Sequence, residues 1–258
     1  MAMRRTNDAS VGLRLPAAIS ACLFDLDGVL TQTATAHAAA WKQMFDAFLG
    51  ARLAVAGESR EPFLLPDDYA TYVDGKLRSD GVRAFLTSRG IVLPEGSTND
   101  SPAAPTVQGL GARKNVLVLE IFRQRGVDVF EGSVRFVRVA RDAGLRVAVV
   151  SASKNCREAL LAAGIDDLFE VRVDGVTAHE RGLAGKPAPD MFLAAAEDLG
   201  VVPTNAAVFE DAVAGVEAAR AGSFGWVVGV DRIGHAAALR AHGANIVVTD
   251  LAELLEEP

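Results

Sequence analysis

No apolar run in this 258-residue chain approaches the roughly 20 residues that a membrane-spanning helix needs. Arg4 and Arg5, ahead of the apolar residues 16–24, imitate the start of a secretion signal. That stretch is short and runs straight into Asp25 and Asp27, so it reads as a first buried strand. Cysteine is scarce. Cys22 and Cys156 build no disulfide framework and have no metal-ligand spacing, so two small buried thiols and a reducing, cytoplasmic setting are expected. An excess of positive charge is missing too: 26 Lys and Arg stand against 33 Asp and Glu, a formal charge of −7. This argues against a chain-wide surface for nucleic acid or anionic lipid, while leaving room for a local basic pocket that takes a small phosphate ester. The low hydrophobicity of a disordered chain is absent, since 50% of the residues are hydrophobic and 23% charged. Internal repeats and heptad arrays are lacking as well.

What is present is a series of short, nearly continuous apolar runs. Residues 21–24 end at Asp25, residues 146–150 at Ser151, and residues 206–209 at Glu210-Asp211; two more runs occupy 225–230 and 245–248. Such runs belong in a parallel sheet covered on both faces. Helical spacing over 133–143, 155–163, 189–199 and 211–221 alternates with them. The fold class expected is therefore α/β, with a Rossmann-like parallel sheet as its core. Between residues 37 and 125 helical patterns appear at 38–48 and 113–125 without a core strand, and residues 93–111, rich in Pro, Gly, Ser and Asn, read as a long surface loop. The layout expected is a loose arm over residues 1–20, an α/β core from 21–35 and 127–258, and an inserted α-helical cap over 36–126.

In open parallel sheets, ligands bind beyond the carboxyl ends of the strands. Asp25, Ser151 and Glu210-Asp211 therefore define one pocket, and Lys186, on the proline-stiffened loop 185–190, adds an ammonium. Carboxylates packed this closely repel one another unless a cation shares the site. Mg²⁺ takes a few carboxylate oxygens together with waters and a substrate phosphate. The lysine offsets the remaining phosphate charge.

The segment Phe24-Asp25-Leu26-Asp27-Gly28-Val29-Leu30-Thr31 resembles the first motif of the haloacid dehalogenase superfamily of phosphotransferases. Ser151 matches the second motif, Lys186 the third and Glu210-Asp211 the fourth, in the right order. The resemblance implies that Asp25 is a nucleophile forming an aspartyl phosphate and that Asp27 is the general acid and base. It also implies that Mg²⁺ is held by Asp25, the backbone carbonyl of Asp27 and Asp211, with Glu210 close by through water. Ser151 and Lys186 then hold the oxygens of the phosphoryl group in transfer.

Other segments are similar to the β-phosphoglucomutase-like subfamily in particular. Thr33 and His37 keep its spacing after the nucleophile, with Trp41 one turn later. Ser151-Ala152-Ser153-Lys154-Asn155 matches its second-motif extension, Asp74-Gly75-Lys76-Leu77-Arg78 its cap loop, and Arg113-Lys114-Asn115 its sugar-contacting cap residues. The resemblance implies that Thr33, His37, Lys76, Arg78, Lys114, Asn115, Ser151, Ala152, Ser153, Lys154 and Lys186 bind a sugar and its phosphates. Arg78 would fork onto the distal phosphate, and Ser153 and Lys154 would complete that site near a helix N-terminus. The implied activity is Mg²⁺-dependent conversion of β-D-glucose 1-phosphate to D-glucose 6-phosphate through the 1,6-bisphosphate, under a cap that limits hydrolysis.

The same machinery also serves a sugar-phosphate phosphatase. A non-catalytic phospho-accepting switch places Asp and Lys at strand ends too, but has neither the inserted region nor an acid two residues after the nucleophile. Two positions depart from the subfamily: Gln32 stands in place of Asp, and Asp74 in place of Lys. Either Lys76 replaces that charge from two residues away or the cap takes a different sugar. The expected partner is a small sugar phosphate, with no nucleic acid and no membrane, and a monomer as the simplest state. His179, His235 and His242 fall outside every motif and receive no role.

Overall fold

A computed structural model of the protein describes residues 12–53 and 55–256. Six strands, β1 (Ala21–Phe24), β2 (Arg146–Val150), β3 (Val171–Val173), β4 (Ala206–Glu210), β5 (Trp226–Val230) and β6 (Ile246–Val248), form one sheet in the order β3-β2-β1-β4-β5-β6. Every neighbouring pair is parallel. Successive side chains of a strand point to opposite faces. Cys22, Phe24, Val147, Val149 and Phe209 are buried on one face, and Ala21, Leu23, Ala148, Val150 and Val208 on the other. Burial on both faces is why these strands read as runs rather than as an alternation.

Helices α4 (Glu131–Asp142) and α5 (Cys156–Ala163) cover the first face with Val134, Phe136 and Leu160. There Phe24 stacks on Phe209 with ring centroids 4.5 Å apart. Burying each such side chain contributes about 1.5–3 kcal/mol. Helices α6 (Gly175–Arg181), α7 (Asp190–Asp198), α8 (Val213–Ala221) and α9 (Ala236–His242) cover the second face with Ala178, Phe192, Val216 and Leu239. The apolar runs thus become strands as expected. Strand β3 escapes the pattern because it has only three residues at a sheet edge and exposes Arg172.

After β1 the chain leaves the sheet and comes back to it through α4. In between, α1 (Ala34–Ala51), α2 (Arg78–Ser88) and α3 (Val107–Arg125) pack on one another around a third cluster that includes Trp41, Phe45, Phe63, Phe85 and Leu110. Phe45 and Phe85 lie 4.1 Å apart, centroid to centroid. The loop ahead of α3 ends at Thr106 rather than at residue 111. The Thr106 hydroxyl caps the helix by accepting from the Gly109 N–H (2.9 Å), which carries residues 107–111 into it. Gly109 and Gly111 made this first turn look like loop.

The outgoing and returning connections are laced together. Thr31 and Val129 form an antiparallel bridge. The Gln32 N–H donates to the Asp128 carbonyl (2.8 Å), and its side-chain amide to that of Val129 (3.1 Å). Residues 1–11 of the expected loose arm lie outside the described residues. Residues 12–20 are not loose: Leu13 pairs with Leu255, the Arg14 N–H donates to the Leu254 carbonyl (2.8 Å), and Ile19 is buried in the first cluster. A single extended covering segment carries no period, which is why it was illegible. Among the described residues no helix is long and apolar enough to cross a membrane.

Candidate active site

The register of the three central strands builds the site. Phe24 lies beside Val149 and Phe209, so Asp25, Val150 and Glu210 come into line at the carboxyl ends of β1, β2 and β4. The Asp25 N–H donates to the Phe209 carbonyl (2.9 Å), fixing the first residue beyond the strand. The sheet order turns outward on both sides of β1 here, the place where open α/β sheets hold ligands.

Lys186 enters from the loop between α6 and α7 and is fully buried. Its Nζ donates to Asp25 Oδ1 (2.5 Å), to Glu210 Oε1 and to the Val150 carbonyl (3.4 Å). The other Glu210 oxygen accepts from the Ala212 N–H (2.9 Å). Asp211 comes beside this group because residue 28 is glycine. Gly28 has φ +89°, and a Cβ there would lie 1.8 Å from Asp211 Oδ2. Asp25, Glu210 and Asp211 each offer one oxygen, all within 4.8 Å of one another. One ammonium cannot neutralise three clustered carboxylates. An all-oxygen donor set of this charge suits a hard divalent cation that keeps part of its water, so these residues fit Mg²⁺.

Burial pushes the Asp25 carboxyl up to about 6 and that of Glu210 up to about 7, against the pull of Lys186. Burial also raises Asp27 and, more strongly, Asp211. For Lys186 burial works downward, but Asp25 and Glu210 outweigh it and hold the ammonium above its usual range. The folded chain thus keeps carboxyl protons that the unfolded chain has released. Without metal ion, the contribution of these carboxyls to stability is expected to be greatest below the unfolded carboxyl values, at about pH 4, and to be lost as pH rises through about 7. Mg²⁺ should raise the thermal midpoint much more at pH 8 than at pH 5. Thermal unfolding at both pH values, with and without the ion, checks this, and an equal rise at both would contradict it.

Across the cavity, Asp27 accepts from the Thr33 hydroxyl, which lies 2.7 Å from that of Thr31. Lys114 donates to His37 Nδ1 (2.7 Å), which leaves the imidazole proton on Nε2, 3.5 Å from Asp27 Oδ1. Burial, reinforced by Lys114 and Arg78, keeps His37 well below its usual value and neutral. Burial likewise lowers Lys114, whose ammonium also faces the Trp41 ring 5.1 Å away. Arg78 donates to Asn115 Oδ1 (2.8 Å), and the same oxygen accepts from the Asn155 amide (2.6 Å), so helices α2, α3 and the start of α5 meet at one atom.

The Ser151 hydroxyl accepts from the Ser153 N–H, and the Ser153 hydroxyl from the Asn155 N–H, both at 3.1 Å. Ala152 and Ser153 line the cavity with Asp25, Asp27, His37, Lys76, Arg78 and Lys114. Two expected residues are directed to the edge of this cavity or beyond it. The Lys76 ammonium donates to the Thr71 carbonyl (2.8 Å) at the rim. Lys154 lines a neighbouring groove that it shares with Arg78, while Arg78 belongs to both. The free volume of the central cavity is about 50 Å³. That is room for a few waters. A sugar phosphate does not fit in that volume.

Three side chains at the site carried no legible signal. Tyr69 lines the cavity from a single π-helical turn over Tyr69–Val73, an element with no sequence period to read. His235, given no role, has Nε2 2.8 Å from the Asp211 carbonyl oxygen. Asp74, noted only as an odd substitution, faces the carboxylate group.

Comparison with known proteins places this geometry. The family described as haloacid dehalogenase-like hydrolase matches residues 19–222. A β-phosphoglucomutase of Mycobacterium tuberculosis is 57% identical over 246 residues, covering 94% of both chains. The β-phosphoglucomutase of Bacillus subtilis is 27% identical over 239 residues, covering 93% of each. Among solved structures, a β-phosphoglucomutase from Clostridium difficile superposes with a TM-score of 0.72 at 24% identity, covering 92% of this chain and 93% of that one, a likeness of fold.

Proposed function

The chain belongs to the haloacid dehalogenase-like hydrolase family, and we propose that it acts as a β-phosphoglucomutase, turning β-D-glucose 1-phosphate into D-glucose 6-phosphate through a phosphorylated Asp25 and the 1,6-bisphosphate. The observation that carries this reading is a pair of cationic grips on opposite sides of one cavity. Lys186 sits at Asp25, and Arg78 sits across the cavity with Lys154 behind it. A hydrolase of monoesters needs one grip, whereas a sugar carrying two phosphates fills both.

Mg²⁺ would be held by Asp25, the Asp27 carbonyl and Asp211, with Glu210 near it through water. When bound, it supplies positive charge to the oxygens of the phosphoryl group. The chain's own residues do the rest. Asp25 attacks phosphorus, and the bond from phosphorus to the sugar oxygen breaks. Asp27, whose affinity for a proton burial increases, gives that proton to the departing oxygen and takes one from the attacking hydroxyl in the reverse sense. Thr33 and His37 hold Asp27 in place. The Ser151 hydroxyl and Lys186 steady the phosphoryl oxygens.

Residues 36–126 act as a cap whose closure excludes water from the aspartyl phosphate, in keeping with the small free volume of the cavity. The reaction would run in a reducing, cytoplasmic setting, a reading supported by the two buried, unpaired thiols Cys22 and Cys156.

The test is a product ratio. With β-glucose 1-phosphate and a trace of the 1,6-bisphosphate, glucose 6-phosphate is expected to exceed free phosphate by a wide margin. Stoichiometric phosphate without the isomer would make the protein a sugar-phosphate phosphatase. Arg78→Ala checks the distal grip. Losing hydrogen bonds from a cation to a phosphate should cost about 10- to 100-fold in kcat/KM with the sugar phosphate. Hydrolysis of acetyl phosphate, which has no second phosphate, should change little. Equal losses on both would remove the distal site.

A further inference from the structure

The loop that begins at Asp74 rests on the loops that carry the carboxylates. Gly75 has φ +67°, and a Cβ on it would stand 3.1 Å from the Ala212 Cβ and 4.0 Å from Lys186 Cδ. On the facing loop, a Cβ on Gly185 would land 2.5 Å from Leu77 Cγ. So close a seating leaves Asp74 on a wall shared by two cavities. The central one contains Asp25 and Asp27. The other, about 420 Å³, is lined by Asp211, Tyr69 and His235. Asp74 thus stands between the nucleophile loop and the Asp211 loop, although it belongs to neither.

The charges around it are mostly of its own sign. Asp25, Asp27, Glu210 and Asp211 face it from the core, and the Tyr69 hydroxyl offsets them in part. The nearby ammonium groups are engaged elsewhere: Lys186 with Asp25 and Glu210, and Lys114 with His37. A carboxylate brought into such company without a cation of its own opposes the seating of its own loop.

We propose that Asp74 is the helical unit's contribution to the divalent-cation site, accepting hydrogen bonds from water on the ion, so that a filled site and a seated helical unit favour each other. This rests on the reading that Asp25 and Asp211 hold Mg²⁺. Coupling of this kind is reciprocal: whatever factor the ion adds to seating, seating adds to ion affinity. Asp74 is a positioning residue here, since it acts through the ion's water and through its own loop.

The experiment measures Mg²⁺ binding to the full chain by titration calorimetry, for the unchanged protein, Asp74→Asn and Asp211→Asn. Hydrogen exchange over residues 74–81 is followed with and without the ion. Asparagine keeps the shape of Asp74 and its Tyr69 contact but removes the charge. Asp74→Ser, which is smaller and cannot clash, serves as a second variant. Both are expected to bind Mg²⁺ about tenfold more weakly, within the usual range of coupled sites. Exchange over residues 74–81 should slow on adding Mg²⁺ to the unchanged protein and should not respond in either variant. Asp211→Asn should lose binding almost entirely.

Unaltered Mg²⁺ affinity and an unaltered exchange response in the Asp74 variants, with Asp211→Asn still defective, would overturn the proposal and leave the metal site standing. Weakened sugar-phosphate binding with unaltered Mg²⁺ affinity would overturn it in favour of a sugar contact. An Asp211→Asn that binds like the unchanged protein would overturn both this proposal and the metal reading beneath it.

Discussion

Asp25→Asn is expected to lower turnover by at least about 10⁴-fold, the scale on which removing a nucleophile acts. It should also abolish the acid-labile phosphoryl label. Asparagine fills the same volume, and its amide has no anionic oxygen with which to attack phosphorus. The fold should survive the change. Lys186 keeps Glu210 and the Val150 carbonyl, and one of the crowded negative charges is gone. The thermal midpoint is expected to stay within about 5 °C of the unchanged protein, a shift of only one or two kcal/mol. Rapid mixing with labelled bisphosphate followed by an acid quench reads the label directly. Persistent label would place the nucleophile elsewhere in the chain.

Lys186→Met is expected to produce the largest loss of stability. The ammonium is fully buried and touches Asp25 and Glu210 at once, with the Phe192 ring 4.9 Å away. Methionine fills similar space with a flexible apolar chain, so the loss is electrostatic rather than a cavity. Removing one partner of a buried ion pair costs about 3–5 kcal/mol. For a chain of this size that corresponds to a fall of roughly 6–20 °C in thermal midpoint.

The sign with pH follows from the carboxyls. Asp25, already raised to about 6, and Glu210, to about 7, go higher without Lys186. At pH 5 both can take up protons, and the cost shrinks. At pH 8 they cannot without further expense, and the cost is full. Urea unfolding of the variant at the two pH values measures the difference. A midpoint at pH 8 equal to that of the unchanged protein would show that the triad of Asp25, Lys186 and Glu210 is not what holds these loops.

Much of the core was readable because its rules are local. A strand buried on both faces must be apolar throughout, and the runs at 21–24, 146–150 and 206–209 therefore declared both the sheet and its polar ends. Asp25, Glu210 and Asp211 then followed as the polar residues that end those runs, with their roles coming from the motif resemblance. The less legible features depend on tertiary partners. Helix α2 holds Gly81 and several charges and is anchored by Val82, Phe85 and Leu86, whose burial only the assembled cluster supplies. His235 reaches Asp211 through a backbone carbonyl, which any residue offers, so nothing in its neighbours announces the contact. Asp74 was visible as a residue, but its meaning depends on where Gly75 lets its loop sit.

The lacing of Thr31 to Val129 and of Gln32 to residues 128 and 129 constrains how the two lobes can part. Two independent tethers would permit twisting and sliding. Two tethers bound to each other at their base act as one axle, so the proposed cap would swing about it like a door on a single pin. In such a motion Asp74, Arg78 and Lys114 would withdraw in one stroke, while Asp25, Asp27 and Lys186 stay with the frame. On the proposed reading, that one rotation would grip substrate at its far end and enclose it at its reacting end, with no separate adjustment of either.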